Sequence, residues 1–310
     1  MRIRLYGTSY FDLHKNQQYI QYLNTAFKKY GVNNPISRLS DYEHFDILKK
    51  AEKQIAKDFG CEDACLFSSG FLACSCVKNY LLSRAENNNE EIFYSSNYHP
   101  SWIDKKMKDV KYLKKDKNDI FISNSLNSFY GEKENYMQYV ERFNKIAIDV
   151  SHTAYIWNHK KEADNKILFF GSLNKAPSFP AGFIAGSSKD IKEIKKLAEY
   201  TTSTPPSVAF AEVFLKMSKI RKEQLKKLEI NMKIMDKALE VNRDDSFPIY
   251  NMGISDESLY KNFRNSRLDV SYMTYPFEYS DKHLRIVLNS EIREFELKEL
   301  IYFINMTEEI

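Results

Sequence analysis

Glycine is scarce in this sequence. The 310 residues include only nine glycines, about 3%, where average proteins contain roughly 7%. This scarcity excludes collagen-like chains and glycine-rich linkers. It also excludes the G-x-G-x-x-G fingerprint of dinucleotide-binding folds, because no glycines stand at that spacing. Each of the nine glycines is therefore worth locating along the chain.

Long hydrophobic runs are missing as well. No run approaches the roughly 20 apolar residues that a membrane helix needs, and residues 1–5 lack the apolar core of a signal peptide. The four cysteines, Cys61, Cys65, Cys74 and Cys76, have spacings that match no structural zinc pattern. Three of them lie among apolar neighbours, which favours buried free thiols in a reducing compartment. We therefore expect a cytoplasmic protein without a metal site or a membrane span.

The sequence also lacks a strong charge of either sign. A net charge of +4 suits small anionic ligands, but it is too small and too dispersed to indicate nucleic acid binding. The chain is 43% hydrophobic and 28% charged, which is typical of soluble globular proteins. Its 21 Tyr and 21 Phe residues predict a substantial core or a large interface.

Strand and helix patterns alternate through the first two thirds of the chain. The predicted strands are 64–67, 91–95, 109–113, 119–123, 145–149, 166–170 and 181–186. The predicted helices are 15–30, 44–59, a helix after Gly70, 100–108, 134–144 and 188–199. Such alternation is typical of a largely parallel sheet that is covered on both faces.

A different pattern follows the Thr-Pro-Pro break at residues 204–206. A long helix is predicted over 207–241, and the remaining elements form a small α+β unit: strand 247–252, helix 256–264, strands 267–273 and 283–288, and helix 292–305. We predict an N-terminal segment over 1–35, a large domain over 36–225 and a small C-terminal domain over 226–310.

Residues 68–71 (Ser-Ser-Gly-Phe) form a predicted strand-to-helix turn. A helix N-terminus offers free N–H donors, and glycine lets a phosphate approach the backbone closely. Ser69, Gly70 and Phe71 are therefore candidate phosphate ligands. The alternative is a plain helix N-cap at Ser69.

Residues 149–152 (Asp-Val-Ser-His) follow the apolar run 146–148. Ligands of open α/β sheets lie beyond the C-terminal ends of the strands. Asp149 at a strand end, with His152 three residues later, indicates a site for a heterocycle or a metal. A capping Asp and a structural loop His are the alternative.

Residues 172–175 (Ser-Leu-Asn-Lys) follow another predicted strand. Lys175 at the strand end could form a Schiff base if its surroundings lower its pKa. The same four residues fit the S-x-x-K motif of penicillin-binding proteins, but the accompanying S-D-N and K-T-G strings are absent from the sequence. A surface lysine is the third possibility.

Arg285 lies within the apolar strand 284–288. An arginine there either faces solvent or makes a planar pair with a carboxylate, and periodicity leaves both open. The order of these motifs along the chain is more informative than any one of them. A phosphate turn, an Asp-x-x-His, a lysine and a late arginine together supply what pyridoxal phosphate (PLP) and an amino acid substrate need.

The chain resembles the α-oxoamine synthase family of fold-type-I PLP enzymes from about residue 25 to its end. The matching segments are F-G-C-E-D-A-C-L-F-S-S-G-F at 59–71, Y-H at 98–99, D-V-S-H at 149–152, S-L-N-K at 172–175, Y-T-T-S-T-P-P at 200–206 and H-L-R-I at 283–286. The resemblance implies an aspartate-aminotransferase-like fold, with a three-layer αβα large domain and a smaller C-terminal α+β domain.

PLP is the cofactor that the resemblance implies. Lys175 would be the Schiff-base lysine, and Asp149 would face the pyridine nitrogen. His152 would face the ring oxygen, and His99 would stack on the ring. Phosphate ligands would include Ser172, together with Thr202 of the neighbouring subunit in a homodimer.

The substrate side resembles the family less closely. Arg285 is implied as the anchor of the substrate carboxylate, and Thr8 and Arg38 occupy positions of the family's substrate-side motifs. The family's N-D-Y-L-G-L is T-S-Y-F-D-L at 8–13, its G-S-G-G-S-R is N-N-P-I-S-R at 33–38, and the glycines after its lysine are replaced by the residues at 176–178.

The implied activity is decarboxylative condensation of an amino acid with an acyl thioester, carried by CoA or a carrier protein, to an α-amino ketone. An aminotransferase or another PLP enzyme acting on amino acids is the first alternative. A non-catalytic descendant that binds a ligand or a partner is the second.

Overall fold

The computed structural model describes residues 2–32, 37–38, 45–95, 104–112, 119–128, 131–241, 247–253, 258–273 and 283–308. The chain divides into two units. The larger unit comprises Asn16–Leu126 and Glu134–Ser218, and the smaller unit comprises Met1–Lys15, Asn127–Lys133 and Lys219–Ile310. The first fifteen residues thus group with the C-terminal part of the chain.

The described helices are α1 (Gln17–Tyr30), α2 (Phe45–Phe59), α3 (Gly70–Asn88), α4 (Ser188–Ile194), α5 (Ala198–Thr201), α6 (Val208–Lys216), α7 (Ser218–Ala238), α8 (Ser258–Asn265) and α9 (Glu294–Glu308). The strands are β1 (Ile3–Leu5), β2 (Asp63–Phe67), β3 (Ile92–Tyr94), β4 (Met107–Asp109), β5 (Ile120–Asn124), β6 (Leu126–Asn127), β7 (Glu132–Lys133), β8 (Lys145–Asp149), β9 (Ile167–Ser172), β10 (Gly182–Gly186), β11 (Ile249–Gly253), β12 (Leu268–Met273) and β13 (His283–Val287).

The larger unit is built on a seven-stranded sheet in the order β2-β10-β9-β8-β5-β3-β4. Strand β10 is antiparallel to both of its neighbours, and the other pairs in the sheet are parallel. The carboxyl ends of the parallel strands therefore meet at one edge of the sheet, where ligands of α/β folds bind.

Both faces of the sheet are buried, as expected for strands that are almost continuously apolar. On one face, Leu168 and Phe170 pack with helix α3. On the other face, Phe169 and Phe183 contact Phe59 of α2, with ring centroids 5.7 and 4.8 Å apart. The predicted α/β layering, with helices on both faces, is thus confirmed.

All four cysteines are free thiols, and three of them, Cys65, Cys74 and Cys76, are buried. Burial raises the pKa of the Cys61 and Cys76 thiols to about 12. The expectation of buried free thiols agrees with the structure for Cys65, Cys74 and Cys76. A raised pKa keeps the Cys76 thiol protonated and unreactive.

Two of the predicted helices are wrong. Residues 134–144 contain only a single 3-10 turn, Tyr136–Tyr139, because Tyr139 and Phe143 pack against Phe121 of β5 as an aromatic cluster. The described part of predicted helix 100–108 is a turn that leads into strand β4. The predicted helix 207–241 is divided at the buried residue Met217, where α6 ends and after which α7 begins.

The smaller unit has a four-stranded sheet in the order β1-β12-β13-β11. Strand β1 is parallel to β12, and the other pairs are antiparallel. Arg285, on the central strand β13, pairs with Asn251 on one side and Ser271 on the other. No helix in the described part of the chain is both long and apolar enough to cross a membrane.

Candidate active site

Three of the predicted motifs meet at the carboxyl edge of the seven-stranded sheet. Asp149 ends β8 and pairs with Phe170 of the adjacent β9, which ends at Ser172. Gly182 of β10 pairs with Ser172 on one side and with Phe67, the last residue of β2, on the other. The phosphate turn, the Asp-x-x-His motif and the lysine segment therefore follow strands that are neighbours or are separated only by β10.

The turn after β2 is shaped by close backbone contacts. Ser69 is the N-cap of α3, and its Oγ accepts a hydrogen bond from the Leu72 N–H at 3.1 Å. A Cβ on Gly70 would lie 2.6 Å from the Ser172 Cβ, so glycine is required where this turn meets the lysine segment. The first N–H groups of a helix have no partner within the helix, which leaves those of Gly70 and Phe71 to bind an anion.

Ser151 joins the Asp149 and Ser172 segments. Its N–H donates to Asp149 Oδ1 at 2.8 Å, and its Oγ accepts the N–H of Ser172 at 2.9 Å. A Cβ on Gly171 would lie 2.7 Å from Ser151 N. Ser151 is not among the residues that the motifs predict for the site, although Asp followed two residues later by Ser is a recognisable turn pattern.

Lys175 lies in a loop whose ends are tied together. Leu173 N–H donates to the Ala181 carbonyl at 2.8 Å, and Tyr19 Oη donates to the Ser178 carbonyl at 2.9 Å. Ser178 has a φ of 50°, a left-handed conformation that favours glycine, at a position where the resembled family has glycine. The loop thus keeps the left-handed backbone conformation, with serine in place of glycine. Lys175 itself is half-buried.

The remaining predicted cofactor residues differ in exposure. His152 is partly buried in the turn that follows Asp149. Thr202 is exposed at the end of α5, and its Oγ1 donates to the Ala198 carbonyl at 2.7 Å. His99 lies outside the described residues.

Arg38 lies in a buried polar cluster beside β2. Its Nη2 donates to the Leu66 carbonyl at 2.5 Å, and its guanidinium stacks 4.0 Å from the ring centroid of Tyr200. Glu52 accepts the Leu66 N–H at 2.9 Å, and desolvation by burial raises the pKa of this carboxyl group. The structure therefore places Arg38 against the strand that leads to the phosphate turn, and its substrate role stays a prediction.

The smaller unit contains a buried guanidinium, that of Arg285. Among the described residues, Nε and Nη2 of Arg285 are buried and have no hydrogen-bond partner. Burial lowers the pKa of Arg285 and raises the pKa of the neighbouring Tyr10 phenol, which stays neutral. A buried guanidinium without a carboxylate is costly unless an anion binds it, so this site suits a carboxylate ligand. Thr8, two residues before Tyr10, is partly buried.

Comparison with solved structures defines the class of fold. A serine palmitoyltransferase from S. paucimobilis that carries PLP and myriocin superposes with a TM-score of 0.81 at 15% identity, covering 98% of this chain and 87% of the other. An 8-amino-7-oxononanoate synthase from Francisella tularensis superposes with a TM-score of 0.75 at 19% identity, covering 99% and 98%. The chain has the fold of the fold-type-I PLP-dependent transferases, and that prediction is confirmed.

A curated relative agrees with the structural likeness. A putative 8-amino-7-oxononanoate synthase from Trichodesmium erythraeum (strain IMS101) is 24% identical over 274 residues, which cover 77% of this chain and 68% of the relative. No protein-family model matches the chain. The resemblance to the α-oxoamine synthases, stated from the motifs, is thus confirmed by a relative and by solved structures.

Proposed function

We propose that this protein is a PLP-dependent acyltransferase that condenses an amino acid with an acyl thioester to an α-amino ketone, with release of CO₂ and the free thiol. The observation that carries the proposal is the meeting of three features at one sheet edge. These are the turn at Ser69 and Gly70, Asp149 at the end of β8, and the loop of Lys175 after β9. The fold and the curated relative support the same class of reaction.

The residues at this edge fit the cofactor. Gly70 lies so close to Ser172 that an added Cβ would come within 2.6 Å of the Ser172 Cβ. The first N–H groups of α3, which have no partner within the helix, suit a phosphate at this turn. Asp149 accepts one hydrogen bond from Ser151 and ends a strand buried on both faces, so its carboxylate is held in one place. Lys175 stands on a tied loop after the neighbouring strand.

When bound, PLP supplies an electron-withdrawing ring that stabilises negative charge at the substrate α-carbon. The residues of this chain would do the rest. Asp149 would hold a proton at the ring nitrogen, and the α3 N-terminus with Ser172 would bind the phosphate. Lys175 would hold the cofactor through its amine and later move the α-proton of the substrate. Arg285 would bind the substrate carboxylate through its planar fork.

Absorbance titration tests cofactor binding. Adding PLP to the wild-type protein should give a visible band that Lys175→Ala lacks, whereas Lys189→Ala, which changes an exposed lysine of α4, should leave the band unchanged. Identical spectra for wild type and Lys175→Ala would contradict the proposal.

Product analysis tests the reaction. Incubation of the loaded protein with an amino acid panel should give CO₂ and an α-amino ketone only when an acyl thioester is present. Keto acid formation without thioester would instead favour an aminotransferase. Cofactor binding with no turnover of any amino acid would favour the non-catalytic descendant.

We also propose that the protein is a cytoplasmic homodimer in which Thr202 of each subunit reaches the cofactor phosphate of the other. The exposure of Thr202, and of Phe71 with 69% of its surface accessible, supports an interface at this end of the larger unit. Light scattering at micromolar concentration should give twice the chain mass, and a monomer would contradict the proposal.

A further inference from the structure

A continuous chain of buried polar groups lies behind Asp149. The Asp149 carbonyl accepts hydrogen bonds from the N–H and the Oγ of Ser125, at 2.9 and 3.0 Å. The Ser125 Oγ lies 2.7 Å from Thr153 Oγ1, which lies 2.9 Å from His159 Nε2. His159 Nδ1 lies 2.9 Å from Glu162 Oε2. Four segments of the larger unit are joined in this way.

The directions of these hydrogen bonds follow from their acceptors. The Asp149 carbonyl can only accept, so the Ser125 hydroxyl donates to it, and Thr153 must then donate to Ser125. His159 Nε2–H donates to Thr153, and one proton is shared between Nδ1 and the Glu162 carboxyl group. Each polar group of this series, from Asp149 to Glu162, therefore has a hydrogen-bond partner. A buried network stabilises one conformation under this condition.

Hydroxyl, imidazole and carboxylate in this order have the arrangement of a catalytic triad. The hydroxyl, however, is inaccessible: Thr153 and His159 have 0% and 3% of their surface exposed. A nucleophile must reach its substrate, whereas the Thr153 hydroxyl is hydrogen-bonded to the buried hydroxyl of Ser125, 2.7 Å away. The arrangement therefore has a structural role in stabilising this part of the larger unit and does not attack a substrate.

The His159 ring is itself fixed by aromatic packing. It stacks on Phe59 with ring centroids 5.8 Å apart and planes within 5°, and it contacts Phe169 at 5.5 Å. The Tyr136 hydroxyl donates to the same Glu162 oxygen at 2.5 Å. With the ring packed in this way, Nε2 lies 2.9 Å from Thr153 Oγ1.

We propose that His159 is a positioning residue for the cofactor site. Through Thr153 and Ser125 it holds the Asp149 backbone and the turn that carries His152. Thr153 also belongs to that turn, since its N–H donates to the Val150 carbonyl at 3.0 Å. The consequence for the cofactor rests on the proposed function, whereas the consequence for the turn does not.

Hydrogen–deuterium exchange of the cofactor-free protein tests the turn. Thr153→Val keeps the side-chain shape and removes the hydroxyl, and the amides of Ser125 and of residues 150–154 should then exchange about tenfold faster, as expected for one lost buried hydrogen bond. Thr153→Ser should restore protection. Ser290→Ala removes a buried hydroxyl of the smaller unit, which donates to the Phe11 carbonyl at 2.8 Å, and should leave these amides unchanged.

Cofactor titration of the same variants tests the link to the site. Thr153→Val and His159→Phe should each weaken PLP binding about tenfold and shift the pH profile of the bound cofactor's absorbance. The double variant should bind PLP no more weakly than the single variant with the lower affinity, because both changes break the same series of hydrogen bonds. Thr153→Ser should bind like the wild type, which a loss of stability alone would not explain.

Several outcomes would overturn the proposal. Unchanged exchange over residues 150–154 in folded Thr153→Val would do so, as would additive losses in the double variant. If Thr153→Val does not fold, Ser125→Ala breaks the same chain at its other end, and failure of both to fold would show a general stability role instead. If the wild type binds no PLP, the proposed function fails, and the exchange measurement still decides the positioning of the turn.

Discussion

Gly182 should be the glycine at which an added methyl group most directly disturbs the cofactor site. It lies between β2 and β9, and a Cβ there would come within 2.1 Å of the Ser69 carbonyl oxygen. A carbon normally approaches a carbonyl oxygen to about 3.3 Å, so Ser69 would have to move by about 1 Å. Since Ser69 caps α3, this shift would carry the first N–H groups of the helix with it.

Gly182→Ala should therefore lower both the stability of the protein and its affinity for PLP. Overpacking of this kind costs about 1–3 kcal/mol of stability, which should lower the melting temperature by several degrees. Displacement of the phosphate turn should weaken PLP binding by about tenfold or more, because the donors no longer converge on the phosphate. Differential scanning calorimetry and absorbance titration measure the two effects.

Gly186→Ala is the matched control, on the same strand and at the opposite end. A Cβ there would meet the flexible end of Leu168, Cδ2, at 2.4 Å, and the Ile167 carbonyl oxygen only at 3.3 Å. It should lower stability while leaving PLP affinity within about twofold of the wild type, since the phosphate turn is untouched. Equal PLP affinity in Gly182→Ala and wild type, with both folded, would refute the reasoning.

Two further predictions concern buried charge. Arg285→Met should keep or raise the melting temperature, because a buried guanidinium is replaced by an apolar side chain of similar length, yet it should raise the KM for the amino acid by about 100-fold. A large loss of stability would show that the folded protein already compensates the buried guanidinium without a bound carboxylate. Because burial raises the pKa of Glu52 above its usual 4.5, the folded protein binds more protons than the unfolded chain just above that pH, and stability falls as the pH rises through the folded pKa. Glu52→Gln should flatten this fall in pH-dependent melting curves, and an unchanged slope would exclude Glu52 as its source.

The sequence was most informative where a single strand and the residues at its C-terminal end determine both the local structure and the candidate site residues. The runs before Asp149 and Lys175 are apolar on both faces of the sheet, so the strands and their chemical ends could be predicted together. The antiparallel direction of β10 could not be predicted, because its five residues are all buried. Such a pattern is the same for a parallel and an antiparallel strand.

The features that the sequence did not predict depend on contacts between distant segments. Tyr139 and Phe143 have helical spacing, but they pack as a cluster against Phe121. The positioning role of His159 depends on Thr153 and on Ser125, which lies 34 residues earlier in the chain, and a lone histidine in a sequence gives no signal of such a network. Local pattern therefore predicts the elements and the residues at their ends, but not how side chains support one another behind the site.

The place of β10 in the sheet has a consequence for the order of events during synthesis. Strands β2 and β9 are about 100 residues apart in the sequence, and only β10 joins them. In a nascent chain that ends before Gly182, no strand lies between β2 and β9 to join the turn at residues 68–71 to the segment at 172–175. Under the proposed function, the phosphate site is thus completed only after Gly182 has left the ribosome, when Lys175 has already been made.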